Sequence, residues 1–511
     1  MVFKNFGKKR FFAAALALML LFSFMLGSCG KKTFDDPADY FKHVEGAPIE
    51  DGIDTITSLY DVSLAFDGKL NKIGAEATAD IELSEEALNM IELLAGVDVS
   101  WLSNIGIDTG VYMDGEVYGV DIGLLLGESK LLSLDVICDY VSGMIYLSVP
   151  EVLTKALAIN YNDAADTDLS ATVIDPSMLP EGKTLNALAK KYINMVLDGI
   201  ENVERTEGKI AANGIEQNCS ILTVTVTEED AKAIAKTVLE SARADEELKA
   251  VIIAFGNVIA ETSNGTEGSG ESYYKDFTAG IDELLADISE ETGDTEDTGD
   301  DIILIDYVNS DDEVIGRTFK NGEEEVFSYA IAKDGKNFGF ELGIEGEDLL
   351  IGSGTADKTV NGTFTVTESG IDYANITLTD FAADCTKGTV DIEILEVPEG
   401  ENTEMLASIF SVYTIRISFE SSADKSWYEI AVMNGEDKFA ALTVNSASKD
   451  TEKPAVPAEG DSLDILAMED ESELLALLDL EPLFENMKNS PIPGEYVNLI
   501  QLYLAMALQG Q

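Results

Sequence analysis

Histidine is nearly missing from this chain: His43 stands alone among 511 residues. A Ser-His-Asp site, a Cys-His site or a His-rich zinc site would have to be built on it. His43 falls before the first expected strand, so no catalytic role is expected for it. Basic residues are scarce too, 33 Lys and Arg against 96 Asp and Glu, for a net charge of −63. Such a surface repels phosphate backbones, which excludes nucleic acid as a partner.

Cysteines number four. Cys138, Cys219 and Cys385 lie 81 and 166 residues apart, spacings that exclude a local zinc knuckle and a CxxC redox pair. They read as small buried hydrophobes in strands, and whether two of them pair is open. Tryptophans are two, Trp101 and Trp427, few for stacking on sugars. A glycosidase needs two carboxylates a few ångströms apart, and 96 acids single out no pair. No HExxH, GxSxG or GxGxxG occurs. Gly182-Lys183-Thr184 would close a phosphate loop, but the glycine due five residues earlier is Ser177. No enzymatic activity is expected.

What is present begins with an address. Lys4, Lys8, Lys9 and Arg10 precede an apolar run, Phe11 to Leu26, of 16 residues. That is shorter than the roughly 20 residues of a membrane span and suits a secretion signal over 1–28. Leu26-Gly27-Ser28-Cys29 resembles the lipobox of bacterial lipoproteins. The resemblance implies cleavage before Cys29, lipid on its thiol, and a membrane partner on the extracytoplasmic face of the cell membrane. Gly30, Lys31 and Lys32 follow as a hydrophilic tether. Removing the signal leaves 29 basic against 96 acidic residues. Yet 45% of the residues are hydrophobic, so a large core is expected rather than a disordered acidic chain.

The pattern divides the remainder. Residues 29–58 read as tether and helical lead-in. A strand-plus-helix lobe is expected over 59–290. It starts with the alternation of Val62, Leu64 and Phe66 and a turn at Asp67-Gly68, then continues with Ala75, Ala77, Ala79 and Ile81. Ser84 caps a helix that Gly96 ends, and Asp114-Gly115 signals a hairpin. Helix is expected over 151–205, a hairpin turning at Asn213-Gly214, a capping box at Thr227, a helix break near Asp245 and a short helix from Tyr273 to Ile288. Residues 291–301 read as an acidic linker. A C-terminal antiparallel meander follows over 302–448, with turns at Asn321-Gly322, Asp334-Gly335, Asn361-Gly362 and Asn434-Gly435. Residues 449–511 hold an acidic link and terminal helices, the last expected to dock on the sheet. The fold class is therefore α+β: large curved antiparallel meander sheets covered by helices, as one domain or two related lobes.

Asp294, Glu296, Asp297, Asp300 and Asp301 lack the EF-hand order, so weak calcium binding by an acidic loop is the most they imply, and no cofactor is expected. The stretch Ile302 to Arg317, IILIDYVNSDDEVIGR, with the meander and acidic terminal helices after it, resembles uncharacterised lipoproteins of Gram-positive gut anaerobes. That likeness implies no activity for any residue. The architecture is similar to the half-barrel of lipid-carrier lipoproteins of the envelope. Three functions are carried forward: a non-enzymatic binder of an apolar or lipid-like ligand, a module that binds another envelope protein, and, remotely, a carboxylate-dependent hydrolase.

Overall fold

The computed structural model describes residues 34–65, 73–114, 116–161, 178–262, 269–290, 301–397, 412–449, 452–458, 460–468 and 471–509. The signal, Cys29, the tether lysines, Gly115 and most of the acidic linker lie outside the described residues.

The elements open with helix α1 (Pro37–Ala65), strand β1 (Ile73–Leu83) and helix α2 (Glu85–Ala95). Strands β2 (Asn104–Met113), β3 (Val117–Leu126), β4 (Ser129–Asp139), β5 (Met144–Ser148) and β6 (Ala156–Asn160) follow. Helix α3 (Gly182–Asp198) precedes the hairpin β7 (Val203–Ala212) and β8 (Ile215–Val226). Helices α4 (Glu228–Ala244), α5 (Glu246–Thr262) and α6 (Gly270–Glu290) come next. The long meander runs β9 (Ile302–Val308), β10 (Val314–Asn321), β11 (Glu324–Asp334), β12 (Asn337–Ile344), β13 (Glu347–Ala356), β14 (Thr359–Glu368) and β15 (Ile371–Ala382). It continues through β16 (Lys387–Ile394), β17 (Tyr413–Ser421), β18 (Lys425–Asn434) and β19 (Asp437–Ser448). A short β20 (Ser462–Asp464) and helices α7 (Glu471–Leu475), α8 (Glu481–Asn489) and α9 (Gly494–Gln509) close the chain. The class is α+β.

The chain forms two compact units that interleave in sequence. Unit 1 comprises Met1–Asp67, Ala171–Thr377 and Leu395–Glu401; unit 2 comprises Gly68–Ser170, Leu378–Ile394 and Asn402–Gln511. Each unit thus draws on residues from both sides of the 291–301 linker.

In unit 1, β7 to β14 pair antiparallel in chain order. The β7–β8 hairpin turns at Asn213 and Gly214, both with positive φ, as its Asn-Gly pair predicts. It also lies against β11 and β12. There Ile210, Ala212, Cys219, Ile315 and Ala332 form a buried cluster. On the sheet's other face α1 and α3 cover β8 and β9. Tyr40, Phe41, Val44 and Leu197 close a second core with Leu222, Val224 and Val308. Full burial of a side chain such as Phe41 contributes about 2–3 kcal/mol.

Helix α1 corrects the expectation for its region. Its 29 residues run through the strand expected at Val62 and Leu64. Tyr40, Phe41 and Val44 recur at helical spacing and are buried, while three alternating residues are too few to define a strand. The expected helix over 151–205 is likewise only partly there: Ala156–Asn160 is a strand, with Ala158 buried and paired to Tyr146.

In unit 2 the neighbour order is β16, β17, β18, β19, β1, β2, β3, β4, β5, β6, β20. Only β20 pairs parallel. The capping signals hold here. The Ser84 hydroxyl accepts from the Ala87 amide, and Gly96 ends α2 at φ 70°. In unit 1, Thr227 and Asp230 form the capping box of α4, and Asp245 separates α4 from α5.

Asn361-Gly362 is not a turn but mid-strand in β14. Gly362 sits opposite Gly354. A Cβ on Gly362 would lie 2.7 Å from the Ser353 carbonyl oxygen and 3.3 Å from the Phe338 ring. The glycine allows close approach of backbone and ring rather than reversal of the chain.

Candidate functional site

Strand register decides which side chains share a face in unit 2. Across β17, β18, β19, β1, β2 and β3, one row reads Ile417, Ile430, Leu442, Ile81, Ile105, Leu126. The next row reads Phe419, Tyr428, Val444, Ala79, Ile107, Leu124. Neither row contains a charge, in a chain where a quarter of residues are charged. Leu126 at the end of the first row is buried, but the central members of both rows are not core. Ile430 is 48% exposed, Ile107 47% and Tyr428 45%, and Ile81, Leu124 and Leu442 are exposed beside them. Five strands from β18 to β3 make the open strip roughly 19 Å wide.

The opposite face of the same strands is polar on β1 and β2, and on β18 and β19 it carries a small buried cluster, Ala431, Met433 and Ala441. β1 presents Glu76, Thr78, Asp80 and Glu82 there. Lys130 Nζ meets Asp108 Oδ2 at 2.7 Å, and the bond to Asp108 holds the lysine above its usual pKa. Gly123 makes room for this pair, since a Cβ would fall 1.8 Å from Asp108 Oδ1. Burial raises the Asp135 carboxyl, helped by Asp121 and Glu151 nearby. A sheet with one charged face normally covers the other; here the central rows of the apolar face stay open.

Further concavities lie elsewhere on the described residues. One of about 490 Å³ lies at the end of β17–β19 and β1, around Trp427, Glu76, Glu420, Lys425 and Asn445. Another of about 210 Å³ in unit 1 is lined by Lys209, Tyr307, Glu325, Tyr329 and Glu341. The larger has a mainly apolar wall with charged residues at its rim, and the smaller a mainly polar one.

Unit 1 holds a buried ionic network. Arg317 on β10 donates from Nε to Asp306 Oδ1 on β9 at 2.7 Å and from a terminal nitrogen to Glu45 of α1. The Asp306 side chain is wholly buried and Glu45 nearly so. Burial pushes both carboxyls above their usual range against the pull of Arg317. Burial opposes the charge on Arg317 as well, but the two carboxylates hold it protonated. Alongside, the Tyr40 hydroxyl donates to Asp312 at 2.8 Å, and Arg205 lies 4.1 Å over the Tyr40 ring. These contacts pin α1 to the sheet.

The residues singled out in the sequence are dispersed. His43 is on α1, stacked on Phe34 at 4.8 Å between ring centroids. Cys138, Cys219 and Cys385 are free thiols, half-buried, buried and exposed respectively, and burial raises the pKa of each. Cys385 departs from the expectation of a buried strand residue: it sits at φ 57° in the turn between β15 and β16. Gly182 begins α3, where its N–H donates to Asp61 at 3.0 Å. Of the acidic run, Asp294, Glu296, Asp297 and Asp300 lie outside the described residues. Among the described residues no three His, Cys, Asp or Glu side chains converge as a metal site.

Comparison with protein-family models, with curated proteins and with solved structures finds no match to this chain.

Proposed function

We propose that this chain is a non-enzymatic binding lipoprotein, tethered by lipid on Cys29, that holds an acyl-chain lipid against the open apolar face of unit 2. The observation that carries the reading is the uncharged strip of Ile430, Leu442, Ile81, Ile107 and Leu124 across five strands, exposed in an otherwise acidic chain. Contiguous exposed apolar surface of this extent marks a binding site rather than an accident of folding. The strip is long enough to lay a fatty acyl chain across the strands, and its lack of charged groups asks for an apolar ligand body.

The chain expressed from Gly30 onward should carry acyl lipids through purification without detergent. Organic extraction and mass spectrometry check this, and an extract free of lipid would count against the reading. The anchor is tested separately. Labelled palmitate should enter the full chain, and Cys29→Ala should abolish incorporation and release the protein from the membrane fraction. Unchanged retention in that variant would remove the anchor from the account.

A further inference from the structure

Trp427 stands on the face of unit 2 opposite the apolar strip. Alternation along β18 sends Lys425, Trp427 and Glu429 to that face and Ser426, Tyr428 and Ile430 to the strip. Register then sets its neighbours. Glu420 of β17, Trp427, Asn445 of β19 and Thr78 of β1 form one row across the strands. The adjacent row reads Lys425, Ala447, Glu76. Ala447 is a small residue between two long charged ones, and the hollow of about 490 Å³ opens there beside the indole.

The polar groups round this hollow are unspent. The other tryptophan, Trp101, donates its indole N–H to the Asp98 carbonyl at 3.2 Å. Among the described residues, by contrast, the Trp427 indole N–H, the Glu420 carboxylate and the Lys425 ammonium each meet no partner. Asn445 gives one amide hydrogen to the Thr78 hydroxyl at 3.4 Å, which leaves its carbonyl oxygen and the Thr78 O–H free to bond a ligand. Trp427 itself is half-buried. The charges cancel. Glu76 is paired with Lys449, and Glu420 and Lys425 offset each other. In a chain of net charge −63, a hollow rimmed by two acids and two bases selects against ions of either sign.

An apolar wall with an aromatic side chain, rimmed by donors and acceptors that sum to no charge, matches a pyranose ring. One face of such a ring is made of C–H groups, and its hydroxyls both donate and accept. We infer that unit 2 binds a neutral sugar residue of a glycan in this hollow, with the ring on Trp427 and its hydroxyls on Glu420, Asn445 and Lys425. An ammonium ligand would also seat on an indole, but it needs an excess of carboxylate, which Lys425 and Lys449 remove. Two tryptophans in the chain are few for a row of stacking platforms; one is enough for a single ring. The inference is of binding rather than cleavage. Glu420 and Glu76 lie three strands apart, roughly 15 Å at the backbone, and Glu76 is held by Lys449, so the two do not flank one glycosidic bond. The hollow lies on the other face from the acyl strip, and the inference stands whether or not that strip takes up lipid.

The test uses the chain from Gly30 onward carrying Trp101→Phe, which leaves Trp427 as its one indole. The probes are neutral trisaccharides of glucose, galactose, mannose and N-acetylglucosamine. At least one should shift the Trp427 emission saturably, with Kd on the order of 0.1 mM. That Kd should be the same at about 1 M salt as at low salt, because the ligand carries no charge to screen. Trp427→Ala, read by calorimetry, should weaken the same sugar at least tenfold. Glu420→Gln and Asn445→Ala change exposed side chains and should leave the melting temperature unchanged, yet each should weaken it several-fold. They decide the matter if loss of the indole disturbs folding. Fatty-acid uptake should be unaltered in both. No saturable response to any of the four sugars would overturn the proposal. So would affinity unchanged by Trp427→Ala, affinity unchanged by both exposed-residue variants, or displacement of the sugar by an equal concentration of tetramethylammonium.

Discussion

Replacing Arg317 by leucine should lower the stability of unit 1 by about 3 kcal/mol at neutral pH. In a domain of this size that is a fall of roughly 6–10 °C in the melting transition. The reason is what remains: Asp306, wholly buried, and Glu45, nearly so, lose their shared cation. An unpaired buried carboxylate costs more than the ion pair ever gained. Burial already raises both carboxyls above their unfolded values. A folded-state pKa above the unfolded one means that the folded form binds the proton more tightly. Stability therefore falls as pH rises from the ordinary carboxylate range through the raised value. Without Arg317 both values rise further, so the defect should be smaller at pH 5 than at pH 8. Thermal melts of the two proteins at those pH values check this. A defect independent of pH would mean that lost packing of the arginine stem, not the stranded acids, causes the loss. Changing Asp306 and Glu45 to Leu and Gln in the Arg317→Leu background should restore most of the stability.

The second large effect concerns the ligand strip. Ile107→Asp combined with Ile430→Asp places two carboxylates on the apolar rows, each nearly half exposed in the free protein. Because both sites see water, folding should survive. A bound acyl chain would strip that water away, at several kcal/mol per uncompensated charge. Affinity for a fluorescent fatty acid should fall at least tenfold. Thr78→Asp, on the charged face of β1, should leave affinity unchanged. Equal weakening by both changes would point to general electrostatic repulsion of the fatty-acid headgroup rather than loss of the strip.

Much of this architecture is legible in the sequence because local signals act where the chain is locally governed. Ser84, Thr227, Asn213-Gly214 and Asp334-Gly335 set caps and turns through bonds and φ values of their own neighbourhood. The alternation of Ala75 to Ile81 identifies a sheet face for the same reason. Hairpins at Glu345-Gly346 and Ser369-Gly370, both with positive φ at each residue, use dipeptides weaker as turn signals than Asn-Gly. Asn361-Gly362 misleads because its glycine answers to Phe338, a contact across strands that spacing does not encode. The Val62–Phe66 alternation misleads for a similar cause, since α1 is fixed by packing of Tyr40 and Phe41 on β8 and β9. Neither candidate site is legible in full. Alternation marks Ile81 as facing a core, yet only the register across β18, β19, β1 and β2 aligns it with Ile430 and Ile105. Only the assembled unit reveals that their rows remain open. The Arg317 network depends on register too: Asp306 and Arg317 are eleven residues apart and become direct partners when β9 pairs with β10.

The central claim is that the apolar face of unit 2 takes up an acyl chain, and titration of the detergent-free, delipidated chain with a fluorescent fatty acid tests it most directly. Saturable binding with Kd on the order of 1 µM, displaced by the unlabelled acid, is the result the account predicts. Fluorescence that rises in proportion to added probe, without saturation or displacement, would contradict it.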